Sequence, residues 1–139
     1  MRMAGFTTKQ VMSFTDLTSR QLNYFDTTGL LSPSVKRAHG RGTSRLYSFR
    51  DVVALRLIAK LRRQGISLQA VRKAVNYLHT MKEQTTLSAS VLAVNGNDVV
   101  LVERDQLVVS LLKQPGQLCF LIDLGGITRE VEDAIRAVG

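Results

Sequence analysis

The first half of the chain marks four helix starts with one local grammar: a hydroxyl side chain placed to cap a helix, bracketed by an apolar pair placed to staple it. Thr7 is followed three residues on by Gln10, with Phe6 and Val11 as the staple, and Thr18 by Gln21, with Leu17 and Leu22. Ser48 and Asp51 form the third pair, with Tyr47 in reach of Val52, and Ser67 opens the fourth helix between Ile66 and Val71. The stops are also marked. Gly29 and Gly65 stand where a left-handed residue ends a helix, and Pro33 prevents the second helix from resuming. Leu68, Val71, Val75 and Leu78 recur at helical spacing in the fourth helix, which predicts a buried stripe opposite a basic face of Arg72, Lys73 and Asn76.

Between the second and third helices, the stretch SVKRAHGRGTSRLY strings Lys36, Arg37, Arg41 and Arg45 around two glycines, with strand-prone Val35, Leu46 and Tyr47 at its ends. A basic hairpin, or wing, is expected there. After residue 83 the periodicity changes. SVLAVNGNDVVLVE places two apolar runs around Asn95-Gly96, a strong hairpin signal. Asp105 then caps a helix carrying Leu107, Val108, Leu111 and Leu112 that Pro115-Gly116 ends. Leu118 to Leu124 reads as a third strand, and Ile127, Val131, Ala134, Ile135 and Val138 as the stripe of a last helix. The expected fold is α+β: a four-helix winged helix-turn-helix over residues 1–82, then a small ββαβα domain over 83–139. Its last two strands are expected to run parallel across a right-handed crossover.

Charge follows the same division. The protein carries +8 overall, but residues 1–82 hold 15 Lys and Arg against 3 Asp and Glu, while residues 83–139 hold 4 against 8. So uneven a distribution predicts a polyanionic partner for the first half. The longest apolar runs are strand-length, such as Val99 to Val102, which argues against a membrane. The N-terminal segment lacks the apolar core of a secretory signal, and the single Cys119 has no intrachain thiol partner, so a reducing, cytoplasmic setting is expected.

Two short helices joined at Ser13-Phe14-Thr15-Asp16 form a helix-turn-helix whose second member would place Thr18, Ser19, Arg20, Gln21 and Asn23 in a major groove. Arg pairs bidentately with guanine, and Gln or Asn with adenine, so these side chains can read base edges of double-stranded DNA. Lys36, Arg37, Arg41 and Arg45 on the wing would neutralise phosphate. In order and spacing, Thr18-Ser19-Arg20-Gln21-Leu22-Asn23-Tyr24-Phe25, Thr28-Gly29-Leu30-Leu31-x-Pro33, Arg45-Leu46-Tyr47-Ser48 and Leu61 to Leu68 resemble the MerR-type DNA-binding domain, over about residues 6 to 80. The resemblance implies base contact at Arg20, phosphate contact at Tyr24 and Arg45, a wing supported by Tyr47, a second wing at Gly65 to Ser67, and Phe25 in the core. Many members have Arg where this chain has Asn23. Members usually continue into a long helix that pairs with its twin as a coiled coil; this chain does not, and its second half resembles a less common branch with a compact α/β C-terminal domain.

Other chemistries find little support in the sequence. Cys119 stands alone in an apolar run and His39 and His79 are far apart, so no metal site and no cofactor are expected, and Cys119 reads as structural. Met1, Met3, Met12 and Met81 form no stripe, and Phe120 alone does not make a drug pocket. No paired acids, activated nucleophile or phosphate loop converge, so no enzyme is expected; Gly125-Gly126 reads as a turn or a close backbone approach, and Glu130, Glu132 and Asp133 as a solvated face. The second half cannot bury both helix stripes and both sheet faces alone, which makes Leu107, Leu111, Ile127, Val131 and Ile135 candidates for homodimerisation on an inverted repeat. RNA polymerase or another protein is a further candidate partner, and the competing reading is an antitoxin-like or adaptor protein whose second half binds a protein and whose DNA binding is autoregulatory.

Overall fold

The computed structural model describes residues 5–36, 45–81, 90–103 and 120–138. Among them the fold is α+β, with five helices and two small antiparallel sheets. The chain divides into two compact units, residues 1–60 with 131–139 and residues 61–130.

In the first unit, strand β1 (Phe6–Thr7) leads into helix α1 (Thr8–Thr15), and α2 (Ser19–Thr27) follows. Both helices open on complete capping boxes. Thr7 Oγ1 accepts from Gln10 N at 3.3 Å while Thr7 N donates to Gln10 Oε1 at 2.9 Å, and Thr18 and Gln21 repeat the pair at 3.1 and 2.8 Å. Each such cap contributes about 1 kcal/mol. The linker is later than the sequence suggests: Ser13, Phe14 and Thr15 stay helical and the turn is Asp16 to Thr18. The Ser13 and Thr15 hydroxyls donate to the helix's own carbonyls at Gln10 and Val11, both at 2.7 Å, which lets polar residues remain in the last turn. Asp16, in the left-handed region at φ 62°, ends α1.

Strand β2 (Leu46–Tyr47) pairs antiparallel with β1, Phe6 opposite Tyr47, a pairing not anticipated from the residues around Phe6. On its other side Leu46 forms an antiparallel bridge with Lys36; Arg37, His39 and Arg41, in the stretch expected as a wing, lie outside the described residues. Helix α3 (Phe49–Arg63) starts at the third expected box, with Ser48 and Asp51 exchanging bonds of 2.9 and 3.1 Å. Val11, Phe14, Leu17, Leu22, Phe25, Leu31, Tyr47, Val52 and Leu55 are buried.

In the second unit, α4 (Leu68–Thr80) is capped by Ser67, and Gly65 precedes it at φ 78°. Its buried stripe is Ala70, Val71, Ala74, Val75 and Leu78. Leu68 is not part of it. As the first helical residue it points off the start of the stripe and is exposed, while Arg72, Lys73 and Asn76 are exposed as expected.

Strands β3 (Ser90–Asn95) and β4 (Asp98–Glu103) form the expected hairpin, with the loop one residue later, at Gly96-Asn97. Gly96 has φ 61°, and a glycine at the first of two loop positions suits the twist of paired strands. Strand β5 is Phe120–Asp123, and the order is β4-β3-β5. Because β4 and β5 each run antiparallel to β3, they share a direction but do not pair, with β3 between them. Helix α5 (Leu124–Val138) follows β5 directly, so Gly125 and Gly126 belong to its first turn and not to a connecting turn. The close approach is real: a Cβ on Gly126 would lie 3.3 Å from Asp123 Oδ2. The expected helix from Asp105 to Pro115, with Leu107 and Leu111, and Cys119 lie outside the described residues.

Candidate nucleic-acid interface

Helix α2 has one buried face and one exposed face. Leu22, Phe25 and Asp26 are buried, while Ser19, Arg20, Gln21, Asn23, Tyr24 and the cap Thr18 are exposed, Tyr24 at 51%. Arg20, Asn23 and Tyr24 fall on one side at the i, i+3, i+4 spacing. Gln21 divides its functions: its carbonyl oxygen accepts from Thr18 N, which leaves the amide nitrogen as the group facing outward for an acceptor.

The wing base is tied to this helix by a charged network. Arg45 Nε donates to Asp26 Oδ2 at 3.0 Å and Arg45 Nη2 to Asn23 Oδ1 at 2.7 Å. Arg45 is thus an intramolecular strut, its charge opposed by a buried carboxylate. Asn23 takes part in the same network, and an Arg at that position would place a second cation against Arg45. Lys36, one residue into the wing, is exposed.

Asp51 has a similar role on the other side of the wing. One carboxylate oxygen accepts from Ser34 N and Ser34 Oγ at 2.7 Å each and from Ser48 N at 2.9 Å, joining the start of the wing to the start of α3. Arg56 Nη1 donates to the carbonyl of Phe14 in the last turn of α1. Asp26, Ser34 and Arg56 were not among the residues expected to shape the site. Their signal was faint: Asp26 and Asp51 are two of only three acids in a strongly basic half.

Tyr47 is fully buried on β2, and its hydroxyl finds no hydrogen-bond partner among the described residues. Burial pushes that hydroxyl above the usual phenol range, Arg45 opposing and Asp26 and Asp51 reinforcing the shift. Tyr47 is therefore held by the burial of its ring.

Of the residues expected at an interface between two copies, Ile127 and Val131 are buried within the single chain and Ile135 is half-buried. Among the described residues no three His, Cys, Asp or Glu side chains group as metal ligands, and no helix is long and apolar enough to cross a membrane.

The capped helix pair, the polar outer face of α2 and the Arg45 strut all lie within one stretch that matches a known family. Residues 6–78 match the family described as MerR HTH family regulatory protein. The chain belongs to the MerR family. It is 34% identical over 133 residues to uncharacterised HTH-type transcriptional regulators of Mycobacterium bovis and Mycobacterium tuberculosis, a match covering 96% of this chain and 58% of theirs. It is 27% identical over 97 residues to the HTH-type transcriptional regulator GlnR of Bacillus anthracis, covering 70% of this chain and 72% of that one. The mycobacterial relatives thus extend well beyond the length this MerR-family chain spans.

Proposed function

We propose that this MerR-family chain is a sequence-specific, double-stranded DNA-binding transcription regulator. The observation that carries the proposal is the outer face of α2, where Arg20, Asn23 and Tyr24 are exposed together and the Arg45 strut fixes the wing base beside them. Arg20 reads a base edge, while Thr18, Ser19, Gln21 and Tyr24 on α2, and Lys36, Arg37 and Arg41 on the wing, position the helix on phosphate. Arg45, already paired, acts chiefly by holding the wing to the helix.

Residues 1–82 form the DNA-binding part and residues 83–139 the dimerisation or effector part. The protein acts as a homodimer on an inverted-repeat promoter site. Leu107, Leu111 and Ile135 remain candidates for the contact. Ile127 and Val131, buried in one chain, serve it by stiffening α5; Val100 and Leu121 are exposed on the same face of the sheet, on either side of Ala93, and extend the apolar surface.

Sites selected from a randomised duplex library test the reading. Arg20→Ala should weaken binding to the selected site by roughly 1–3 kcal/mol and hardly affect random DNA, whereas Lys36→Ala should weaken both and lower the salt slope by about one. Equal loss on both DNAs for Arg20→Ala would refute the base-reading role. Sedimentation of the free protein tests the dimer, and a monomer at micromolar concentration would refute it.

A further inference from the structure

The second unit contains a cleft of about 530 Å³, walled by the turn Gln64–Ser67, the hairpin tip Val94–Asn97 and the ring of Phe120. That volume lies within the range of roughly 300–1,000 Å³ at which small molecules are held. None of the lining side chains is charged. The polar ones are three carboxamides, of Gln64, Asn95 and Asn97, and the hydroxyl of Ser67.

Phe120 is the anomaly in this sheet. Strand register places it beside Val94, on the face that also carries Leu92, Val99 and Ile122. Those four are buried, yet Phe120 is 44% exposed. An aromatic ring among these buried neighbours, open toward a cleft, offers a flat apolar floor. The opposite wall is polar and oriented. Ser67 Oγ accepts from Ala70 N as the cap of α4 and donates to Asn97 Oδ1 at 2.5 Å. With its carbonyl oxygen so engaged, Asn97 has its amide hydrogens left to donate to an occupant.

We propose that this cleft binds an uncharged, planar small molecule with an amide-like hydrogen-bonding edge, of the nucleobase or aromatic carboxamide class. The ring would lie on Phe120 and the edge would meet Asn97 and Gln64. A charged ligand would lose hydration with no opposite charge in the lining to replace it. Because Asn97 holds the Ser67 cap, an occupant drawing on Asn97 bears directly on the start of α4. The inference is independent of DNA binding, and its test needs no DNA.

The test is ligand-observed and amide-shift NMR on the full chain, with nicotinamide and adenine as neutral probes and nicotinate as the charged counterpart. Nicotinamide or adenine should shift amides at 64–67 and 94–97 and bind at least tenfold tighter than nicotinate. Phe120→Ala, at a partly exposed position, should weaken the neutral probe at least tenfold with the far-ultraviolet CD spectrum unchanged. Asn97→Asp, which removes the amide donor, should do the same if Phe120→Ala fails to fold. Absence of shifts with both neutral probes, equal binding of nicotinate, or undiminished binding by a folded variant would each overturn the assignment.

Discussion

The pairing of Arg45 with Asp26 invites a direct test, because two readings of Arg45 predict different outcomes. If Arg45 only waits for phosphate, its removal from the free protein costs little. If it is a strut, removal unmakes two charge-assisted hydrogen bonds, at 3.0 and 2.7 Å, to a carboxylate that is 8% exposed and to Asn23. An exposed ion pair contributes about 0–1 kcal/mol, and breaking a buried one costs about 3–5. Arg45 is 21% exposed, so this pair lies between those limits. We expect about 2 kcal/mol for Arg45→Ala and about 1–2 for Asp26→Ala, which leaves Arg45 its bond to Asn23 and some access to water. The double variant should lose less than the sum, with a coupling of roughly 1 kcal/mol. At this chain length, 2 kcal/mol lowers the melting temperature by roughly 6–10 °C. Urea unfolding followed by far-ultraviolet CD reads all four proteins. Coupling indistinguishable from zero would mean that the pair is incidental and would return Arg45 to the phosphate-binding set.

Two further changes probe the same scaffold. Asp51→Ala removes one acceptor from three donors at Ser34 and Ser48 and should cost about 2–3 kcal/mol in urea unfolding; a midpoint equal to wild type would show that the wing start is held by other means. Tyr47→Phe removes a buried hydroxyl without a described partner and should leave stability unchanged or raise it by up to about 1 kcal/mol. Since the folded pKa of Tyr47 is raised, its proton is retained in the native state while the unfolded tyrosine ionises; the wild type should therefore lose stability above the ordinary phenol pKa, and Tyr47→Phe less so, and parallel alkaline profiles would contradict this.

Helix starts were legible because an N-cap is local: Thr7, Thr18, Ser48 and Ser67 each accept from the backbone three residues on, and nothing distant need supply it. The hairpin was legible for the same reason, with Gly96 alone needing the left-handed turn. Long-range features were not. Nothing near Phe6 announces a strand that pairs with Tyr47, and nothing near Phe120 says that β5 joins β3. The linker between α1 and α2 was misplaced because Ser13 and Thr15 look like turn residues until their hydroxyls bond back into the helix. At the site, the exposed types on α2 could be read by period, but the direction in which Arg45 points depends on Asp26, 19 residues earlier in the chain.

That dependence bears on how the basic half works as an electrostatic object. Its three acids are Asp16, Asp26 and Asp51. Asp26 and Asp51 are buried, one against Arg45 and one under Ser34 and Ser48, so neither presents a full negative charge to a partner at the outer face of α2. Asp16 is exposed, at the left-handed end of α1. The paired groups therefore set geometry, and the exposed Arg20 and Lys36 set the field. Such exposed cations would attract a polyanion whatever its sequence, and potentials of this kind raise encounter rates without adding specificity. Under the proposed function, base selection by Arg20 then depends on how α2 is held, and the Asp26–Arg45–Asn23 network joins α2 to the residue that precedes β2. In that reading Asp26, buried against Arg45, contributes to selection without a contact of its own.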